Sequence, residues 1–376
     1  MTETDFILSN FDVSKASNGS VTWKTPSNIA LVKYWGKQEP QIPENASISF
    51  TLDACFTLTT LEFRLKKKRP VTGSEFNFEI FFEGEKKEDF KPKIQKFFER
   101  IEQYVPFLKD YDFIIKSRNS FPHSSGIASS ASGMSALALC VMSLERLLNG
   151  AEMTDEYFNK KASFLARLGS GSACRSIEGE LIVWGNHTEI EGSSNLFGTK
   201  FPFKIHENFK NYHDTILLVD EDEKQVSSTV GHQLMNNHPF AQQRFQQAND
   251  NISKISEIIQ KGDLKQFIKI VESEALSLHA MMMTSNPYFI LMKPNTLKII
   301  NKIWEFRSKT NANICFTLDA GANVHVLFPE SEKESVNNFI INELIQFCYK
   351  KHYICDIIGN GGTQLIVKNE QLKIGY

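Results

Sequence analysis

Between Ser47 and Phe63, apolar and β-branched residues fall on alternate positions, first Ile48, Phe50 and Leu52 and then a run from Thr57 to Phe63. The same period of two returns in Phe76, Phe78, Ile80 and Phe82, and a shorter apolar piece stands at Phe113-Ile114-Ile115. Alternate residues of an extended chain share a face, so these runs predict strands and a sheet-rich first third. The run Lys66-Lys67-Lys68-Arg69-Pro70 and the charged stretch from Glu83 to Asp89 read as solvated hairpin ends. Ile94, Phe97, Phe98 and Ile101 repeat instead at three and four, the spacing of one helix face, and predict a helix within Lys93–Tyr104. Longer helices are predicted from about Ser130 to Leu148, stopping before Asn149-Gly150, and from Asp155 to Leu168.

Beyond Phe201 the elements lengthen. The pattern predicts a strand at Thr215–Val219, helices at Ala241–Lys261, Leu264–Met281 and Asn295–Ser308, and strands at Asn313–Leu318 and Val324–Phe328. A helix at Glu332–Tyr349 and strands at Tyr353–Ile358 and Gln364–Val367 follow. That order is α+β and split-βαβ-like, and it predicts a two-lobed α/β chain divided near residue 205, into 1–205 and 206–376.

Composition narrows the picture. A chain of 376 residues exceeds one ordinary core. Lys+Arg 42 against Asp+Glu 44 gives 42 − 44 = −2, so no bulk charge draws the protein to nucleic acid and any anionic ligand must be held locally. The acidic start Met1-Thr2-Glu3-Thr4-Asp5 lacks a basic segment followed by an apolar one, and no stretch approaches about 20 uninterrupted apolar residues, which predicts a cytoplasmic protein without a membrane partner. The six cysteines show neither a CxxC pair nor metal spacing, and read as buried small hydrophobes.

Five segments could carry chemistry. Pro122 to Gly133, rich in serine and glycine, lies after a strand and opens an apolar helix, where unpaired N–H groups bind phosphate with little added charge. It lacks the lysine of a GxxxxGK[ST] loop, and taken alone it fits equally a helix start built for close packing. Gly169-Ser170-Gly171-Ser172-Ala173-Cys174-Arg175-Ser176 is a second small-residue loop, ending in a guanidinium suited to carboxylate or phosphate; a helix cap with a surface arginine reads the same residues. Lys33-Tyr34-Trp35-Gly36-Lys37 follows the apolar strand Asn28–Val32 and puts both lysines on one face of an extended chain, roughly 13 Å apart unless Gly36 bends it. Asp319 ends a buried-looking strand before Gly321, as a general base or a turn cap. Gly359-Asn360-Gly361-Gly362-Thr363 reads as the tight connection between the last two strands.

Together these segments resemble the GHMP kinase superfamily and, more closely, the mevalonate diphosphate decarboxylases of isoprenoid synthesis. The match is carried by Asn28-Ile29-Ala30 with Lys33 to Lys37, Asn45 to Ser49, Pro122 to Ser130, Gly169 to Ser176, Ser227-Ser228-Thr229, and Asp319-Ala320-Gly321 with Asn323. The resemblance implies a GHMP kinase fold, with an N-terminal lobe like ribosomal protein S5 domain 2, a ferredoxin-like C-terminal lobe and the active site in the cleft between them. It also implies ATP and Mg²⁺, mevalonate 5-diphosphate as substrate, isopentenyl diphosphate as product, and a homodimer.

Position by position, the resemblance makes Asp319, Lys33 and Arg175 catalytic, with Asp319 facing the 3-hydroxyl and Arg175 fixing the substrate carboxylate. It places Tyr34, Lys37, Ser170, Ser172 and Ser228 around the diphosphate and substrate, and Ser117, Gly126, Ala128, Ser129 and Ser130 at ATP, with Ser117 near the base. Mg²⁺ is then held mainly by phosphate oxygens and water, and Ser129 is the side chain that could reach it. The sequence departs from the family at His123-Ser124-Ser125 (usually Thr-Ala-Ala), Ala46 (often serine), Ala322 (usually proline) and Thr229 (arginine in some bacterial members). The rival readings are a mevalonate 5-phosphate decarboxylase, a 3-kinase of the superfamily, and a noncatalytic nucleotide-binding protein.

Overall fold

The computed structural model describes residues 1–67, 75–122, 127–149, 153–220 and 228–366. Lys68-Arg69-Pro70, His123 to Gly126, Gly150, Ser227, Val367 and the side chains of Ser228 and Thr229, which carried expectations above, lie outside the described residues. Along the chain run β1 (Asn18–Val32), β2 (Lys37–Gln38), β3 (Ile42–Pro43), β4 (Ser47–Leu65), β5 (Asn77–Phe82), β6 (Glu85–Lys86), α1 (Lys91–Ile101), β7 (Tyr111–Asn119), α2 (Ser129–Asn149) and α3 (Asp155–Gly169). Then follow β8 (Leu181–Trp184), β9 (Thr199–Lys200), β10 (His213–Leu217), α4 (Ser228–Gln233), α5 (Ala241–Lys261), α6 (Leu264–Met283), α7 (Pro294–Thr310), β11 (Cys315–Thr317), β12 (Val324–Phe328), α8 (Lys333–Phe339), β13 (Tyr353–Ile357) and β14 (Thr363–Leu365).

The alternating run after Ser47 becomes a single strand, β4, which pairs antiparallel with β1 from Asn18↔Arg64 to Val32↔Ile48. The first sheet runs β14-β1-β4-β7-β5-β6, with β8 on the far end of β4 and β9 on β8. Among the described strands its one parallel pair is β5 with β7, and the chain between them runs through β6 and the helix α1. Ile94, Phe97, Phe98 and Ile101 of that helix are all buried, with α2 and α3, in the core beneath the sheet. α2 is long and apolar enough to cross a membrane, yet 83% of its most apolar stretch is buried against protein, so it is a core helix.

The second sheet, β11-β12-β10-β13, is antiparallel throughout. Helices α5 and α6 bury Ile252, Ile259, Phe267 and Val271 in one core with Ile29, Leu31, Ile48 and Phe50 of β1 and β4. The two sheets are thus joined through shared apolar packing, each fully buried large side chain contributing about 1.5–3 kcal/mol. Asp356 on β13 adds a polar tie, its carboxylate accepting the N–H groups of Asp53, Ala54 and Cys55 at 2.9, 2.8 and 2.7 Å.

Three expectations change. The helix expected over Glu332–Tyr349 is α only to Phe339, then widens into a π turn at Ile340–Leu344 and ends in short 3₁₀ turns. The glycine segment after β13 is no hairpin: it crosses from the second sheet to the first, where β14 pairs with Thr22 to Lys24 of β1. Passage is tight enough that a Cβ on Gly361 would lie 2.5 Å from the Ile177 carbonyl oxygen, which explains the absence of a side chain there. All six cysteines are free thiols and five are buried as expected, but Cys355 is exposed.

Candidate active site

The β1 ladder ends at Val32, so the lysine-rich segment is not the extended, one-faced strand its spacing suggested. Lys33 turns inward and is only 2% exposed, and its Nζ donates to Asp319 Oδ1 at 2.9 Å. Asp319 stands just past β11 with its side chain 30% exposed, so the carboxylate reaches solvent while the ammonium lies behind it. Burial pulls the Lys33 ammonium below its usual range, and the adjacent Asp319 charge opposes that pull. From α6, His279 Nε2–H donates to the Asp319 carbonyl at 3.1 Å and fixes the turn.

Gly36 supplies the bend, with φ at +114°, a conformation that strains any other residue. Its N–H donates at 3.0 Å to Nδ1 of His232 on α4, which leaves the imidazole proton on Nε2. Burial, then the nearby Lys37 and Arg175 charges, push the His232 pKa down to about 3, so the ring stays neutral at physiological pH. Tyr34 stacks on it at 4.5 Å and meets Trp184 edge-on at 4.8 Å. Beyond the bend, Lys37 lies on the β2–β3 hairpin and donates to Gln41 Oε1 at 2.8 Å. The buried Arg167 of α3 holds that hairpin by donating to the carbonyls of Pro40 and Gln41.

The loop expected after α3 is a 3₁₀ turn, Gly171–Ser176, with Ser170 between the two helices. It carries Arg175 inward, 3% exposed, where Nη1 donates to Ser47 Oγ at 2.5 Å and Nε to Asn28 Oδ1 at 3.3 Å. Its guanidinium lies 5.5 Å from the Tyr34 ring and 5.8 Å from that of Trp184. Arg175 is therefore no surface arginine at a helix end. Its charge also acts on the Lys33 ammonium, and Ser172 contacts Tyr34, so Lys33, Tyr34, Ser172, Arg175 and Asp319 form one cluster.

The N-terminus of α2 forms a separate part of the site. Ala128 caps it at φ +43°, and Thr25 and Ser27 of β1 donate to the Ser132 and Ile127 carbonyls at 2.6 and 2.7 Å. Ser129 and Ser130 open the helix, and Lys93 Nζ from α1 reaches Ser130 Oγ at 2.5 Å, bringing to the loop a cation that its own sequence lacks. Gly126 lies outside the described residues, and of Ser228 only the main chain, which starts α4, is described. Ser117 sits apart from the Lys33 cluster, on β7 beside Thr59, at an open groove of about 420 Å³ lined by Leu58, Thr60, Phe81, Lys116 and Arg118. No group of three or more acidic, histidine or cysteine side chains that could hold a metal ion occurs among the described residues.

Arg244, Glu274, His232 and Lys93 also touch these segments, and no motif or spacing marks them in the sequence. The one available signal was chemical: Glu274 interrupts the apolar stripe of α6 that contains Val271, Ala275 and Leu278.

Two family models match the chain in succession: the diphosphomevalonate decarboxylase-like N-terminal domain over residues 25–195 and the mevalonate 5-diphosphate decarboxylase C-terminal domain over residues 215–368. A diphosphomevalonate decarboxylase of Ganoderma lucidum is 30% identical over 336 residues, covering 85% of this chain and 81% of its own. Among solved structures, MDDEF in complex with MVAPP, AMPPCP and magnesium superposes with a TM-score of 0.76 at 28% identity, covering 93% of this chain and 99% of its own. A mevalonate diphosphate decarboxylase from Enterococcus faecalis, described for its mevalonate diphosphate-mediated ATP binding, gives 0.75 at 27% identity with the same coverage of both chains.

Proposed function

We propose that this chain, which belongs to the diphosphomevalonate decarboxylase family, converts mevalonate 5-diphosphate and ATP to isopentenyl diphosphate, ADP, phosphate and CO2. The observation that carries the reading is the Lys33–Asp319 pair at 2.9 Å beside Arg175, between the two sheets. A tertiary hydroxyl is a poor leaving group, and the chemistry Mg²⁺-ATP supplies is its conversion to a phosphate ester. The α2 N-terminus with Ser129, Ser130 and Lys93 fits a polyphosphate, because main-chain N–H groups and one ammonium point to the same place.

In this reading the partly exposed Asp319 carboxylate accepts the 3-hydroxyl proton. The Asp319 charge opposes the pull of burial on the Lys33 ammonium behind it, and that ammonium lowers the energy of negative charge gathering near the oxygen. Arg175 is held by Ser47, Asn28 and the two aromatic rings, and its Nη2 makes no hydrogen bond among the described residues, so one edge of the fork is left to orient the departing carboxylate. Tyr34 stays protonated, since burial raises its pKa, and remains a donor for the unreacting end. Lys37, Ser170 and Ser172 complete that end, and two phosphates rather than one account for so many donors.

The direct test incubates purified protein with ATP, Mg²⁺ and either mevalonate 5-phosphate or 5-diphosphate while CO2, ADP and the organic product are followed. CO2 from the diphosphate supports the proposal; CO2 mainly from the monophosphate, ADP without CO2, or binding without turnover would each select one of the rival readings. Lys37→Ala and Ser172→Ala are expected to raise KM for the diphosphate substrate, by about ten- to a hundredfold for the lysine, since a charged hydrogen bond contributes about 1.5–3 kcal/mol. KM for ATP should change little; equal loss for both ligands contradicts this pocket assignment.

A homodimer belongs to the same reading and rests on the family resemblance. Light scattering should give a mass twice the chain's 42.9 kDa, and a single-chain mass removes this part of the proposal.

A further inference from the structure

Because the β1 ladder stops at Val32, the main-chain N–H and carbonyl of Lys33 lose their sheet partners where the residue is 2% exposed. Buried main-chain groups require replacements. Glu274 Oε2 on α6 accepts the Lys33 N–H at 2.8 Å, and Arg244 Nη2 on α5 donates to the Lys33 carbonyl at 3.1 Å. Arg244 and Glu274 are themselves joined in a two-pronged ion pair, Nη1 to Oε1 at 3.1 Å and Nη2 to Oε2 at closer range. Asn251 donates to Glu274 Oε1 at 2.6 Å, and Asn45 adds a second donor to the Lys33 carbonyl at 3.0 Å. Arg244 is 2% exposed and Glu274 is fully buried.

We propose that Arg244 and Glu274 are a positioning pair for Lys33, gripping its main chain from the N–H and the carbonyl side so that its ammonium is delivered to Asp319. The inference rests on the reading of Lys33 given above and deepens it. A buried ion pair is a poor device for stability, because removing two charges from water costs about as much as their attraction returns. Amide side chains could satisfy a main-chain N–H and carbonyl equally well. What the pair adds is a rigid fork spanning two helices of the second lobe and closing on one residue of the first. It also places a negative charge near Lys33. Acting on the ammonium are the Asp319 and Glu274 charges, which hold its proton, and the Arg175 guanidinium, which opposes it, while the Arg244 guanidinium lies at the Lys33 carbonyl with Glu274 covering its charge.

The test compares Glu274→Gln, Arg244→Lys, the double variant Glu274→Gln/Arg244→Met and Lys33→Met with the parent enzyme, by melting temperature, kcat, KM for ATP and the pH dependence of kcat. The double variant leaves no unpaired charge, so it keeps the test open should a single variant unfold. Folded pair variants are expected to lose about ten- to a hundredfold in kcat, the scale of a misplaced catalytic group, with KM for ATP nearly unchanged. In Glu274→Gln a charge that holds the Lys33 proton is gone and Arg244 is uncovered, so Lys33 deprotonates more easily. The alkaline fall of kcat should then move to lower pH, and return toward the parent position in the double variant while kcat stays low.

If Lys33→Met keeps its turnover, the reading of Lys33 itself fails and the pair's role with it. If Lys33→Met is inactive while folded pair variants stay within about threefold of the parent, only the positioning role fails. A kcat that follows the folded fraction alone with the alkaline limb unmoved, or failure of every pair variant to fold, overturns it in favour of a structural ion pair.

Discussion

Asp319→Asn is expected to lower turnover by at least about a hundredfold while ATP and mevalonate 5-diphosphate still bind. The substitution keeps the size of the side chain and one acceptor for Lys33 Nζ, now 2.9 Å away, but removes the ability to take a proton. A second effect acts in the same direction. Burial already pulls the Lys33 ammonium down and the Asp319 charge is the first force against it, so the amide leaves a lysine that loses its charge more readily. Base and electrostatic partner are therefore weakened together, and the loss should exceed that of a general base removed from an otherwise intact site. Steady-state turnover with calorimetric binding of both ligands decides it; near-normal turnover would sink the assignment.

Arg175→Lys is the second large effect, with kcat/KM expected to fall at least about tenfold although the charge is retained. One ammonium cannot replace a planar fork that donates to Ser47 and Asn28 and lies against the Tyr34 and Trp184 rings. The residue is 3% exposed, so stability should fall as well, by about 1–3 kcal/mol for the unsatisfied partners. That differs from the surface arginine at a helix cap that the segment taken alone allows. Kinetics measured well below the melting transition separate the two contributions. Full specific activity per folded molecule would show that Arg175 is structural and does not orient the carboxylate.

Local pattern made much of this molecule legible. The 3.6-residue stripes of α5, α6 and α7 predicted those helices to within about two residues, because each carries a continuous apolar face and lacks internal breakers. The first half of β1 was hidden for the opposite reason. Thr22, Thr25 and Ser27 are polar residues on a buried strand, kept there by hydrogen bonds to Thr60, Ser132 and Ile127 that only the folded chain supplies. Asp319, Lys33 and Arg175 were legible through resemblance; their supports were not. Glu274 lies 241 positions and Arg244 lies 211 positions from Lys33, and no short-range spacing rule reaches that far. Lys93 is likewise supplied to the α2 loop by a different helix, which is why the loop read in isolation looked poor in charge.

The return of β14 to β1 has a consequence for how the molecule is made. The other strands of that sheet all come from residues 18–200, yet its edge is closed by Thr363–Leu365, which leave the ribosome after every helix of the second half. Until then the N–H and carbonyl groups of Thr22 to Lys24 on the outer side of β1 have no partner strand, and an open edge invites pairing with other chains. Contacts between residues so far apart also slow closure, because much of the chain must be ordered before they form. The amino-terminal lobe therefore cannot be finished as a nascent domain, and a polypeptide cut before Thr363 would lose the edge of its first sheet rather than a dispensable tail.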